Sequence, residues 1–156
     1  MKLKEEIVVL RWKEKREMEN KVVDVKYFKS SEILYSKTAQ KNGIDNTPTD
    51  PKIIDNLNYT LKRLDEIRSG YGKPIHINSG YRCEELNVLV GGVKNSYHKS
   101  GLAVDIRWDS DLIDYMIANC SYDKLIREKS GKSKWIHIQF SKDINKERKL
   151  VLNITK

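Results

Sequence analysis

The chain has 156 residues, of which 33% are charged and 38% apolar, and a formal net charge of +8. That length suffices for one domain with its own core, is short for two, and includes no apolar run near the roughly 20 residues of a membrane-spanning helix. The excess of lysine and arginine implies attraction to a polyanion, with nucleic acid and an anionic bacterial wall as the two candidates.

Residues 1–26 read as an extension of unknown role. Glu5 to Leu10 is predicted as a short strand, Arg11 to Asn20 as a charged helical or frayed stretch, and Val22 to Val25 as a second strand. The run Ile7-Val8-Val9-Leu10 is too short for a signal-peptide core and no small-residue cleavage site follows, so synthesis in the cytoplasm is expected. Ser30 or Ser31 caps a helix expected to reach Lys41 and to stop at Gly43. Beyond a turn-rich loop, Thr49 or Asp50 caps the clearest helix, with Pro51 in its first turn. Ile53, Ile54, Leu57, Leu61, Leu64 and Ile67 form its apolar stripe, and Ser69-Gly70 is its expected stop. This helix reads as core and carries no chemistry.

Pro74 to Asn78 reads as a strand with Ile75 and Ile77 inward, and Cys83 to Val90 as a short helix. Asp109 or Ser110 caps a helix through Leu112, Ile113, Met116 and Cys120. Lys124 to Glu128 is a predicted strand, Lys129 to Lys134 a turn, Trp135 to Phe140 a strand, and Lys149 to Ile154 a last strand. The pattern predicts a single α+β domain over residues 27–156, an antiparallel sheet packed against helices. Cys83 and Cys120 lack a metal-type spacing and read as unpaired, largely buried thiols.

Two segments carry candidate chemistry. The first is Ser96-x-His98-x-x-Gly101-x-Ala103-x-Asp105; the second is Trp135-Ile136-His137. Leu102, Val104, Ile106 and Trp108 alternate with Ala103, Asp105 and Arg107, the period of a half-buried strand. Asp105 then points away from the core, with small Ala103 beside it. Ile136, Ile138 and Phe140 alternate with Trp135, His137 and Gln139 in the same way. If both strands lie in one sheet, His137 and Asp105 share a face, and His98 reaches them from a loop that Gly101 allows to turn. Two histidines and an aspartate suit zinc with a fourth position left for water. His76 shares a strand face with Asn78 and is expected to be peripheral.

With Ser79-Gly80-Tyr81-Arg82 ahead of these motifs, the chain resembles a known peptidase family from roughly Tyr27 to Ser141. Its members are the zinc D-Ala-D-Ala carboxypeptidases, the L-alanyl-D-glutamate endopeptidases of bacteriophages and the D-Ala-D-Ala dipeptidases. Further similarity lies in Gly43 to Pro48 and Asp123 to Glu128. The resemblance implies a catalytic Zn2+ on the sheet face, held by His98, Asp105 and His137. It implies that Arg82 binds substrate and stabilises charge on the scissile carbonyl oxygen. Ser96 either donates a hydrogen bond to substrate or caps its loop. Several branches of the family place an acidic residue three positions before the last histidine. Here that residue is Lys134, which cannot accept a proton while charged. Glu128 is the expected general base, with Asp123 as the other candidate. If Glu128 lies opposite Trp135 in a hairpin, it shares the face of His137; a one-residue slip would put it on the wrong face.

The expected function is hydrolysis of D-Ala-D-Ala or L-Ala-D-Glu bonds in bacterial peptidoglycan stem peptides, by a zinc metallopeptidase acting as a monomer. A phage or prophage lysin released by a membrane-permeabilising partner fits the lack of a signal peptide. The alternative is a non-catalytic zinc-binding module of the same fold that recognises a wall peptide or a protein. A nucleic-acid partner is not expected: beyond charge, there is no recognition helix, zinc-finger spacing or aromatic-interleaved basic stretch.

Overall fold

A computed structural model describes residues 2–156. In chain order the elements are α1 (Lys2–Glu19), α2 (Ser30–Leu34), α3 (Lys37–Lys41), α4 (Pro51–Tyr71), β1 (Ile77–Ser79), α5 (Glu84–Leu89) and α6 (Tyr97–Ser100). There follow β2 (Ala103–Arg107), α7 (Ser110–Asn119), β3 (Lys124–Ser130), β4 (Ser133–Gln139), a 3-10 turn (Ile144–Lys146) and β5 (Leu150–Thr155).

The strands form one sheet in the order β1-β2-β4-β3-β5. Three pairs are antiparallel, but β5 runs parallel to β3, so the sheet is mixed rather than antiparallel throughout. The connection after β4 accounts for this. It turns back until Lys149 N donates to Tyr122 O and Leu150 N to Asp123 O, at the very start of β3. Glu147 on that connection is held by Arg63 of α4 at 2.7 Å, and Arg63 also donates to Ser121 O. A chain delivered to the beginning of β3 can only continue along it in the same direction.

One sheet face is the core. Val104, Ile106, Leu125, Ile136 and Ile138 join the stripe of α4 (Ile54, Leu57, Leu61, Leu64 and Ile67) and Leu112, Ile113 and Met116 of α7 in one apolar cluster. Leu57, Leu61 and Leu64 are wholly buried, each stabilising the fold by roughly 1.5–3 kcal/mol. Asp50 caps α4 through Lys52 N, with Pro51 in the first turn. The helix runs past the expected stop at Ser69-Gly70 and ends at Gly72, whose φ of +79 makes it a left-handed cap. The helix expected from Ser30 to Lys41 is two, because Tyr35 and Ser36 are extended and Ser36 caps α3 through Ala39 N.

The first 26 residues depart most from expectation. Glu5 to Leu10 is not a strand but part of α1, where Lys, Glu, Arg and Leu outweigh the β-branched Ile7-Val8-Val9. Every described side chain from Lys2 to Arg16 is exposed, including Leu3, Ile7, Leu10 and Trp12. Val22 to Val25 is extended but joins no sheet. It docks on α4 instead: Val22 is buried, and Asn58 accepts from Val23 N and donates to Lys21 O. Cys83 and Cys120 are free and half-buried. Among the described residues, no helix is long and apolar enough to cross a membrane.

Candidate metal centre

The site occupies the sheet face opposite the core. In the β2–β4 register Asp105 lies directly across from His137, so both side chains project from the same face. His98 comes from α6, which Ser96 caps by accepting from His98 N at 3.2 Å. Gly101 closes that helix with φ +79, and a Cβ there would meet Leu57 Cγ at 2.8 Å. Only glycine satisfies both conditions, so the approach of the histidine loop to β2 depends on it.

The candidate ligand atoms of the two histidines converge on one carboxylate oxygen. His98 Nε2 lies 3.3 Å and His137 Nδ1 3.1 Å from Asp105 Oδ1. His98, Asp105 and His137 each offer one ligand atom, and these atoms all lie within 4.8 Å of one another. His98 and Asp105 are buried and His137 nearly so. Burial pushes the Asp105 carboxyl up, but hydrogen bonding and positive charge at His137 and His98 outweigh it and hold the group well below the usual carboxylate range. The donor set fits zinc: two imidazoles and one ionised carboxylate, with the far nitrogen of each ring already engaged. His98 Nδ1 lies 2.8 Å from Gly80 O, which turns Nε2 toward the cluster.

Arg82 stands beside this group. It donates to Asp105 Oδ2 at 3.2 Å and to Ser79 Oγ at 3.4 Å. The turn that carries it is braced by Asn46, whose side chain donates to Leu34 O and Tyr81 O and accepts from Cys83 N. Asn46 lies in the upstream segment Gly43 to Pro48, and its bracing role has no periodic signal in sequence. A groove of ≈ 440 Å³ opens next to Asp105, lined by Asn78, Ser79, Ser133, Lys134 and Trp135. Lys134 lays its Nζ 4.7 Å over the Trp108 ring. His76 is exposed and outside the cluster.

The two candidate bases are placed differently. Glu128 pairs with Trp135 in the β3–β4 ladder, which puts it on the site face and diagonal to His137. Ser130 and Ser133 close this hairpin around Gly131-Lys132, tighter than the turn expected from residues 129 to 134. Gly131 has φ +58, the sign a type II′ turn needs at its first central position. Glu128 is nearly buried, and Lys156 Nζ lies 3.7 Å from its Oε2. Asp123 is already engaged. Arg148 donates to both its oxygens at 2.8 Å, and Gln139 Nε2 donates to Oδ2 at 2.7 Å. Hydrogen bonding from Arg148, with Gln139 and against burial, brings the Asp123 carboxyl to about 2.

The α+β domain thus presents, on one sheet face, a His-Asp-His group that could hold a metal ion, with an arginine beside it. The Peptidase M15 family model matches residues 26–139, most of the chain, and the chain belongs to that family of zinc D-Ala-D-Ala carboxypeptidase-like enzymes. It is thus a peptidase of the zinc carboxypeptidase type. No curated protein matches the chain.

Proposed function

We propose that this chain is a zinc-dependent peptidase of bacterial peptidoglycan stem peptides, cutting a D-Ala-D-Ala or L-Ala-D-Glu bond. The observation that carries the reading is the convergence of His98, Asp105, His137 and Arg82 on one face, with Glu128 on the same face in register. His98 Nε2, Asp105 Oδ1 and His137 Nδ1 would hold the metal. Zinc would supply Lewis acidity, activating water and the scissile carbonyl.

The protein's own groups supply the rest. Glu128 takes a proton from the attacking water and returns it to the leaving amine. Arg82 offsets negative charge developing on the carbonyl oxygen. Its contacts to Asp105 and Ser79 fix the guanidinium and leave further N–H donors for substrate. The groove beyond Asp105 gives an extended peptide a place to lie. Lys134 makes that groove basic, which suits a stem peptide bearing carboxylates. Ser96 is engaged as a helix cap, so its part in this reading is to set His98 rather than to touch substrate. Residues 27–156 are the peptidase domain, acting as a monomer on the wall. Release by a phage lysis system fits the reading.

Elemental analysis and digestion test this. The wild-type chain should hold one zinc, and His98→Ala and His137→Ala should lose it. Full occupancy in both variants would reject the ligand set. Arg82→Ala should keep zinc and lose about 100-fold or more in turnover, as expected when a charge-stabilising donor is removed. Muropeptides should be cut and casein spared. Zinc binding with no hydrolysis of either would leave the second reading, a non-catalytic module, for which Lys134 in place of an acid is the supporting feature.

A further inference from the structure

His137 stands at the head of a chain of polar contacts that the metal centre alone does not require. His137 Nε2 is 3.1 Å from Gln139 Oε1, on the side of the ring away from Asp105. Gln139 Nε2 donates to Asp123 Oδ2 at 2.7 Å. Arg148 Nε and NH2 close the chain on the two Asp123 oxygens, at 2.8 Å each. Gln139 and Asp123 are 5% and 4% exposed, so water competes little for these bonds.

The direction of every bond follows from its outer end. A guanidinium only donates, and an ionised carboxylate only accepts. The amide nitrogen of Gln139 must therefore face Asp123, which turns its oxygen to His137. An amide oxygen cannot donate, so His137 Nε2 must carry the hydrogen. Nδ1 is then the nitrogen left for a metal, on the side of Asp105 Oδ1.

We infer that Gln139, Asp123 and Arg148 are positioning residues that lock His137 in the Nε2–H form and in the ring orientation that presents Nδ1 to the metal. This rests on the metal-centre reading and extends it to the chain's own outer contacts. Such partners of a ligating histidine fix its tautomer and raise its basicity, and their loss commonly costs 10–100-fold in metal affinity. The backbone is shaped to suit. Lys149 has φ +53, a left-handed conformation that lysine rarely adopts, at the step between Arg148 and β5. Arg148 N also lies 3.4 Å from Asp123 Oδ1. The two ligand histidines are thus oriented by different means: His98 by a backbone carbonyl, His137 by a side-chain relay.

The test uses the full chain, with Gln139→Leu as the main variant. Long-range proton–nitrogen NMR reads the His137 ring, and chelator competition reads zinc affinity. In the wild type, Nε2 should be protonated and slow to exchange, with or without zinc. In Gln139→Leu the Nε2 proton should exchange faster and zinc affinity should fall about 10–100-fold. The His98 signals should not move, since Gly80 O still holds that ring. An unprotonated Nε2 in the wild type, or zinc affinity within about threefold of wild type in Gln139→Leu with unchanged exchange, overturns the inference. If Gln139→Leu does not fold, Arg148→Met takes its place, because the Arg148 side chain is half exposed. Faster Nε2 exchange and weaker zinc binding there support the relay; no change in either overturns it. A protected Nε2–H in a wild-type chain that binds no zinc would support the relay while rejecting the metal reading.

Discussion

Glu128 and Asp123 show how two carboxylates five residues apart in sequence acquire different tasks from their surroundings. Asp123 accepts three charged or amide donors and stays ionised down to about pH 2, so it holds a proton too weakly to shuttle one. Glu128 has a single distant ion pair and faces the side of the sheet that carries His137. Glu128→Gln should therefore keep the fold and the zinc and lose about 100-fold or more in hydrolysis, within the range for loss of a general base. Asp123→Asn should lower zinc affinity more than the turnover of the zinc-loaded form. Steady-state kinetics at saturating zinc check both. Near-normal turnover in Glu128→Gln with a dead Asp123→Asn would reverse the assignment. Asp105 and His137 were legible as site candidates because each sits on a period-two pattern, and His98 because it lies at a fixed step before Gly101 and Asp105. Gln139 shares that pattern two places after His137. Its contacts were not legible, because its partner Asp123 and that residue's partner Arg148 come from the loops that lead into β3 and β5.

At the scale of elements, alternation gave β2 and β4, the apolar stripe gave α4, and the short turn at Gly131 gave the hairpin. The break between α2 and α3 and the parallel β5 were not readable, since both depend on distant partners. Arg63 is one such partner, a buried cation on an apolar stripe that ties Glu147 and Ser121 to α4. Gly80 is another position where distant packing decides. A Cβ there would lie 2.2 Å from Ile33 O, and the same residue's carbonyl orients His98. Gly80→Ala should therefore destabilise the fold by about 1–3 kcal/mol, the usual cost of overpacking, and weaken zinc binding as well. Denaturant unfolding and chelator competition measure the two effects. Loss of stability with wild-type zinc affinity would show that the turn can shift without moving His98.

At the scale of the whole molecule, α1 shows exposed side chains from Lys2 to Arg16, whereas Val22 and Phe28 are buried against the domain. The family match also begins only at residue 26. Between α1 and that match, Lys21 and Val23 bond to Asn58 of α4, which ties the segment just ahead of residue 27 to the domain. Removing residues 1–20 should leave the melting temperature within about 2 °C and zinc content unchanged, as for exposed groups that contribute little to stability. Removing residues 1–28 should destabilise the fold clearly, because it strips two buried apolar side chains from the core. A large loss in the shorter deletion would mean that α1 packs on the domain.

In the proposed function, one metal centre hydrolyses one bond in a wall peptide. Mass spectrometry of a defined muropeptide, incubated with the zinc-loaded chain, with chelator, and with chelator followed by zinc, tests it most directly. A single cleavage beside a D-configured residue is expected, lost with chelator, restored by zinc and absent in His137→Ala. An intact muropeptide after incubation with fully zinc-loaded protein, or cleavage that survives both the chelator and His137→Ala, would contradict it.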